Sequence, residues 1–280
     1  MRFAISSEIL VGVITSVLVL SILSFAIAQP ERVPATNDKS GIGVTVTIPA
    51  NAVEVADGVF SLGTARDVDG RLVEGFMFVD KRNNAKPPGA GGSKGGSTKC
   101  YAFLANGAKW KNIEPWVANP SNTEALDELF VFNNLAASIQ KWENAASANI
   151  LGDGSTTTAT LAADTSSPDG VNEVYFGDVG SSGAIAVTIV WGVFGGPPFQ
   201  RQLVEWDQVY DQVDFDWSAT GEAGKMDFEN INAHELGHSD GMGHPDDSCT
   251  EETMFRFASA GETKKRDLNA GDIAGIQALY

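Results

Sequence analysis

At 280 residues and 43% hydrophobic content, the chain is long enough to bury the core of one ordinary domain plus a smaller accessory region, which excludes wholesale disorder. Its formal charge of -17, from 36 acidic and 19 basic side chains, repels phosphate backbones and anionic lipid surfaces, so no nucleic-acid partner is expected. The same charge suits an exported, soluble monomer.

Residues 9–28, ILVGVITSVLVLSILSFAIA, form an almost unbroken apolar run after Arg2 and end in Ala26-Ile27-Ala28 ahead of Gln29-Pro30. A basic start, an apolar middle and a small-x-small end read as a secretory signal over residues 1–28. The run approaches the roughly 20 residues that span a bilayer, so an uncleaved anchor at the cell surface is the competing expectation. Only in that case would the chain touch a membrane. In an oxidising compartment the two cysteines, Cys100 and Cys249, read as a disulfide pair.

Beyond the signal, VTVTI (44–48) and LVEGFMFV (72–79) alternate as strands do, and Asp69-Gly70 marks a turn ahead of the second. The stretch KPPGAGGSKGGSTK (86–99) has too much glycine and too little apolar content to pack. The expected organisation is therefore a small β-rich N-terminal region or propeptide at 29–86, a glycine-rich linker at 87–99 and the main domain at 100–280.

From Cys100 the chain reads YAFL and KWKNIEPWVAN, and then Ser121 and Glu124 suggest a capping box for a helix over 122–146. Leu129, Phe132, Ala136, Ile139 and Trp142 recur at helical spacing and predict its buried stripe. NEVYFGD, GAIAVTIVW and LVEWDQVYDQVDFDWS follow as strands; in the last, the alternation changes phase between Tyr210 and Val213, which predicts a bulge. A final helix lies in LNAGDIAGIQALY, with Asn269 and Asp272 at its cap and Ile273, Ile276, Leu279 and Tyr280 on its buried face.

Residues 234–244 read HELGHSDGMGH. His234 and His238, four apart, lie on one face of a helix where a single metal ion can bridge them. Asp227 can cap that helix, with Phe228 and Ile231 on its buried side. Gly241 can take a positive φ, end the helix and return His244 to the metal. Three neutral imidazoles around Zn2+ leave a fourth position open, as a catalytic site requires, and water there has its pKa lowered to about 7. Glu235, beside the first ligand but off the ligand face, can take the water's proton and pass it to a leaving amine. All three histidines of the chain fall on this one pattern.

The extended pattern HExxHxxGxxH resembles the metzincin metallopeptidases, and Met254, ten residues after His244, matches the methionine of their Met-turn. DQVDFDWS upstream and the final DIAGIQALY are similar to the matrixin branch, over roughly residues 100–280. Pro245 looks more like the serralysin branch, and Arg256 stands where astacins and serralysins carry a tyrosine ligand. The cysteine motif by which matrixins stay latent is missing, since Cys100 lacks its flanking residues.

The resemblance implies an α+β fold with a twisted mixed five-stranded sheet, a backing helix, an active-site helix and a C-terminal helix. It also implies a secreted endopeptidase that takes a polypeptide substrate extended against an edge strand, for which GAIAVTIVW (183–191) is the candidate by order in the chain, an interior strand being the other reading of that run. A disulfide between Cys100 and Cys249 would pin the loop beneath the metal to the start of the domain. Structural Ca2+ is common in such proteins, and Asp153, Asp164, Asp169 and Asp178 offer oxygen ligands of the right type. The alternative function is a zinc-bearing surface binding module that hydrolyses nothing.

Overall fold

The computed structural model describes residues 44–82 and 99–280, which belong to one compact unit. The apolar run 9–28 and linker residues 87–98 lie outside the described residues. The N-terminal part contributes β1 (Thr45–Val46), β2 (Val53–Ala56), β3 (Val59–Arg66) and β4 (Leu72–Arg82). Then come β5 (Ala102–Phe103), β6 (Trp116–Asn119), α1 (Glu128–Ala146), β7 (Gly154–Thr156), β8 (Asn172–Val179), β9 (Ala184–Val193) and β10 (Gln202–Asp211). The chain closes with β11 (Trp217–Ser218), β12 (Met226–Asp227), α2 (Phe228–Ser239), β13 (Met242–Gly243), β14 (Phe257–Ala258) and α3 (Ala270–Leu279).

The fold is α+β, with a large mixed sheet and three helices. The sheet runs β2-β3-β4-β9-β10-β8-β6-β7, with β1 beside β8 and β14 beside β4, so it has ten strands among the described residues where five were expected. Within it, β7, β6, β8 and β10 pair in parallel and β9 runs antiparallel to β10. The additional strands come largely from residues ahead of the glycine-rich stretch. They belong to the sheet because β4 pairs antiparallel with β9, from Glu74 opposite Gly192 to Lys81 opposite Ala184.

Nearly all of β9 is buried, as suits a continuous apolar run covered on both faces. Side chains of β4 alternate between the two faces: Phe78 joins the helix-side core, whereas Val73, Met77 and Val79 join a second core on the other face with Val187, Ile189 and Trp191.

Helix α1 starts later than the sequence suggested, because Asp127 caps it by accepting from Phe130 N at 2.8 Å. Ser121 makes no capping box; its hydroxyl instead donates to Glu128 Oε1 at 3.1 Å. The buried stripe is also rotated, to Val131, Leu135, Ser138, Ile139 and Trp142, and Leu129 is 65% exposed. Two apolar stripes overlap at Ile139 and Trp142, and the one that carries Val131 and Leu135 faces the core. Trp142 Nε1 donates to Ala233 O at 2.9 Å, which docks α1 on α2.

The phase change near Tyr210 is not a bulge. Strand β10 ends at Asp211, whose Oδ1 accepts from Val213 N at 2.7 Å and Asp214 N at 2.9 Å and closes a turn. The register shift in this strand lies between Leu203 and Glu205. In α3, Asn269 N donates to Asp272 Oδ2 at 2.9 Å at the cap, and Ile276 and Leu279 are buried. Ile273 stays partly exposed, as Gly271 and Gly275 take the packed positions.

Candidate metal centre

Helix α2 starts where Asp227 Oδ1 accepts from Asn230 N at 3.0 Å, and Arg266 donates to both oxygens of the same carboxylate. Phe228 and Ile231 are buried, as is almost every other residue of the helix. Gly241, at φ 96°, turns the chain out of α2, and its N–H donates to His238 O at 2.9 Å. Strand β13 then pairs with β5 and delivers His244 back over the helix.

The three histidines converge through their Nε2 atoms: His238 and His244 are 3.0 Å apart, and His234 and His244 3.3 Å apart. His234 Nδ1 donates to Thr253 O at 2.6 Å, and His238 Nδ1 donates to Met242 O at 2.9 Å. Each bond fixes the tautomer and leaves the Nε2 lone pair facing the centre. The fourth group is Asp80, 4% exposed, whose Oδ1 lies 2.9 Å from His234 Nε2 and 3.0 Å from His244 Nε2; Oδ2 is 3.6 Å from His238 Nε2.

This donor set fits zinc. One atom from each of the four residues lies within 4.8 Å of all the others. Ligands at the usual zinc distances around a tetrahedron stand roughly 3.3 Å apart. Converging lone pairs and a carboxylate oxygen, taken out of water, call for a cation between them. Burial pushes the His234 imidazole down to about 3 and that of His244 to about 4, against the pull of Asp80, so both are in the neutral form a metal requires.

Glu235 is fully buried beside the first ligand, and Thr188 Oγ1 of β9 donates to its Oε2 at 2.6 Å. Its Oε1 has no hydrogen-bond partner. Burial, and then the negative charge of Asp80, push the carboxyl well above its ordinary range. Met254 is buried beneath Gly237 of α2. Asp272 of α3 accepts from Thr253 N at 2.7 Å and Met254 N at 3.1 Å, and so holds the turn whose carbonyl orients His234. The disulfide joins Cys100, ahead of β5, to Cys249, between His244 and Met254.

The sequence had not pointed to Asp80 or Thr188, and it had given Asp272 only a role at the cap of α3. A signal existed for the first: Phe76, Phe78 and Asp80 share one face of an alternating strand, so an acid falls on a face that should be apolar. Among the expected calcium ligands, Asp164 and Asp169 meet, and the companion they find is Glu205 of β10. Asp153 and Asp178 are not part of that group, and Asp178 Oδ2 accepts from Thr45 Oγ1 at 3.0 Å. Strand β9 is interior in the sheet, between β10 and β4. Among the described residues, no helix is long and apolar enough to cross a membrane.

The matrixin peptidase family model matches residues 194–280, from the end of β9 through α3, a span that includes all three histidines, Glu235 and Met254. No curated protein matches the chain. The region from residue 194 to residue 280 is a matrixin domain of the metzincin metallopeptidases, and its peptidase family implies polypeptide substrates.

Proposed function

We propose that the chain is a secreted zinc endopeptidase with Glu235 as its general base. The observation that carries this reading is the convergence of three oriented Nε2 atoms beside a buried carboxylate that is held by Thr188. His234, His238 and His244 would hold the zinc, which when bound supplies Lewis acidity and lowers the pKa of water to about 7. Glu235 takes the proton of the attacking water and returns it to the leaving amine. Its tie to Thr188 fixes the carboxylate against β9, the strand along which an extended peptide would pair. Met254 and Gly241 serve the site by packing and by chain reversal. The Cys100–Cys249 bridge suits an oxidising, extracellular compartment.

A calcium ion at Asp164, Asp169 and Glu205 belongs to the same proposal. Glu205 is fully buried, and its Oε1 has no partner. Its Oε2 accepts from Gly170 N, in the loop that carries Asp169. Hard oxygen donors of this kind are what calcium takes.

The test is zinc content together with chelator-sensitive cleavage of unfolded casein, measured beside Glu235→Gln. Both chains should hold one zinc, and with Asp80 replaced by alanine in each, so that the metal is open, only the chain with Glu235 should cleave. A Glu235→Gln chain as active as its parent would remove Glu235 from the reaction. The second reading, a zinc-bearing surface module that hydrolyses nothing, draws on Asp80, because a metal with four protein donors resembles a closed structural site. Zinc without cleavage, in chains with and without Asp80, would establish it.

A further inference from the structure

We propose that β4 occupies the peptide-binding edge of β9 and supplies Asp80 as the metal's fourth ligand, so that the intact chain is held closed. The inference rests on the zinc reading above. A strand has two hydrogen-bonding edges. Strand β10 takes one edge of β9, and β4 takes the other, over an antiparallel register from Glu74 to Lys81. While β4 is there, no substrate can add as a strand. The segment thus lies in a substrate's place.

The end of β4 nearest the metal is fixed from several sides. Phe78 stacks on His238, with ring centroids 3.9 Å apart and planes 16° apart. Two residues on, Asp80 reaches all three imidazoles. Its Oδ2 is buried beside the His238 imidazole, at 3.6 Å, and the carboxyl of Glu235, surroundings that are costly for a carboxylate unless a cation meets it. Arg82 N donates to Gly183 O at 3.1 Å, and β14 pairs alongside Lys81 and Arg82. Arg256, next to β14, reaches Asp57 at 3.1 Å, and Lys81 reaches the same carboxylate at 3.8 Å. These contacts hold Asp80, on the helix-facing side of β4, against the three imidazoles. With zinc bound, the three histidines and Asp80 would complete a four-donor shell, and Asp80 would have to leave it for water to take the fourth position.

The test replaces zinc by cobalt(II), whose visible absorption reports coordination, and titrates acetohydroxamate into the full chain and its Asp80→Ala and Asp80→Asn variants. A tethered ligand competes at a high effective concentration, so acetohydroxamate should bind Asp80→Ala at least about 100-fold more tightly than the parent. Asp80→Asn keeps the side-chain shape, controls for folding and should also bind more tightly than the parent. Equal affinity of the parent and both variants overturns the proposal, whether all are open or all are closed. Casein cleavage separates this result from the peptidase reading. If Asp80→Ala opens the metal and cleaves faster than the parent, both stand; if it opens the metal but cleaves neither casein nor a short peptide that needs no strand pairing, closure by Asp80 stands and the peptidase reading fails.

Discussion

Gly237 and Met254 meet where only one of them has room for a side chain. A Cβ on Gly237 would overlap the Met254 sulfur and come within 2.7 Å of the Trp142 ring. The glycine, directly before His238 in the helix, lets α1, α2 and the methionine turn close up beneath the histidines.

Gly237→Ala is therefore expected to destabilise the fold, although alanine is the better helix former. Overpacking a buried contact costs about 1–3 kcal/mol, against about 1 kcal/mol gained in helix propensity. Met254→Ala in the same chain vacates the space, so the two changes should be non-additive by at least about 0.5 kcal/mol. Denaturant melts of both single variants and the double variant measure this. Strict additivity would mean that the two residues do not share the space.

How far the site could be read in the sequence depended on how local each relationship is. His234, Glu235, His238 and Gly241 are joined by helix geometry and one turn, so residue spacing alone places them. Asp80 stands 154 positions from His234, and only the pairing of β4 with β9 brings it there. A period-two pattern says which way a side chain faces, not which strand lies beside it. The apolar run of β9 likewise fits an edge strand or an interior one, and only the partner strand decides. In α1, two apolar stripes overlap at Ile139 and Trp142; helical spacing alone picks the one through Leu129, Phe132 and Ala136, whereas the core takes the one through Val131 and Leu135.

The Cys100–Cys249 bridge closes a loop with a sequence separation of 149 and anchors the segment between His244 and Met254 to the strand that pairs with β13. Constraining the unfolded chain over a loop of this size stabilises the native state by about 2–5 kcal/mol. Replacing both cysteines by serine should lower stability by that amount. Adding a reductant should do the same to the parent and nothing further to the double variant. A parent chain that melts identically with and without reductant, once free thiols have been titrated, would show that the bridge contributes no stability.

The acidic cluster at Glu205 gives a pH dependence whose sign can be worked out. Burial, and then the negative charge of Asp207, push the Glu205 carboxyl from 4.5 to about 10 in the metal-free protein. The native state keeps a proton that the unfolded chain releases, so metal-free stability falls as pH rises through that window. An ion bound at Asp164, Asp169 and Glu205 displaces the proton and offsets the charge it leaves. The gain in melting temperature from saturating calcium should therefore be larger at about pH 8 than at about pH 5, where protons compete with the metal. Glu205→Gln removes the titrating group, so both the calcium response and this part of the pH dependence should shrink. An equal calcium shift at both pH values, or an undiminished shift in Glu205→Gln, would place calcium elsewhere.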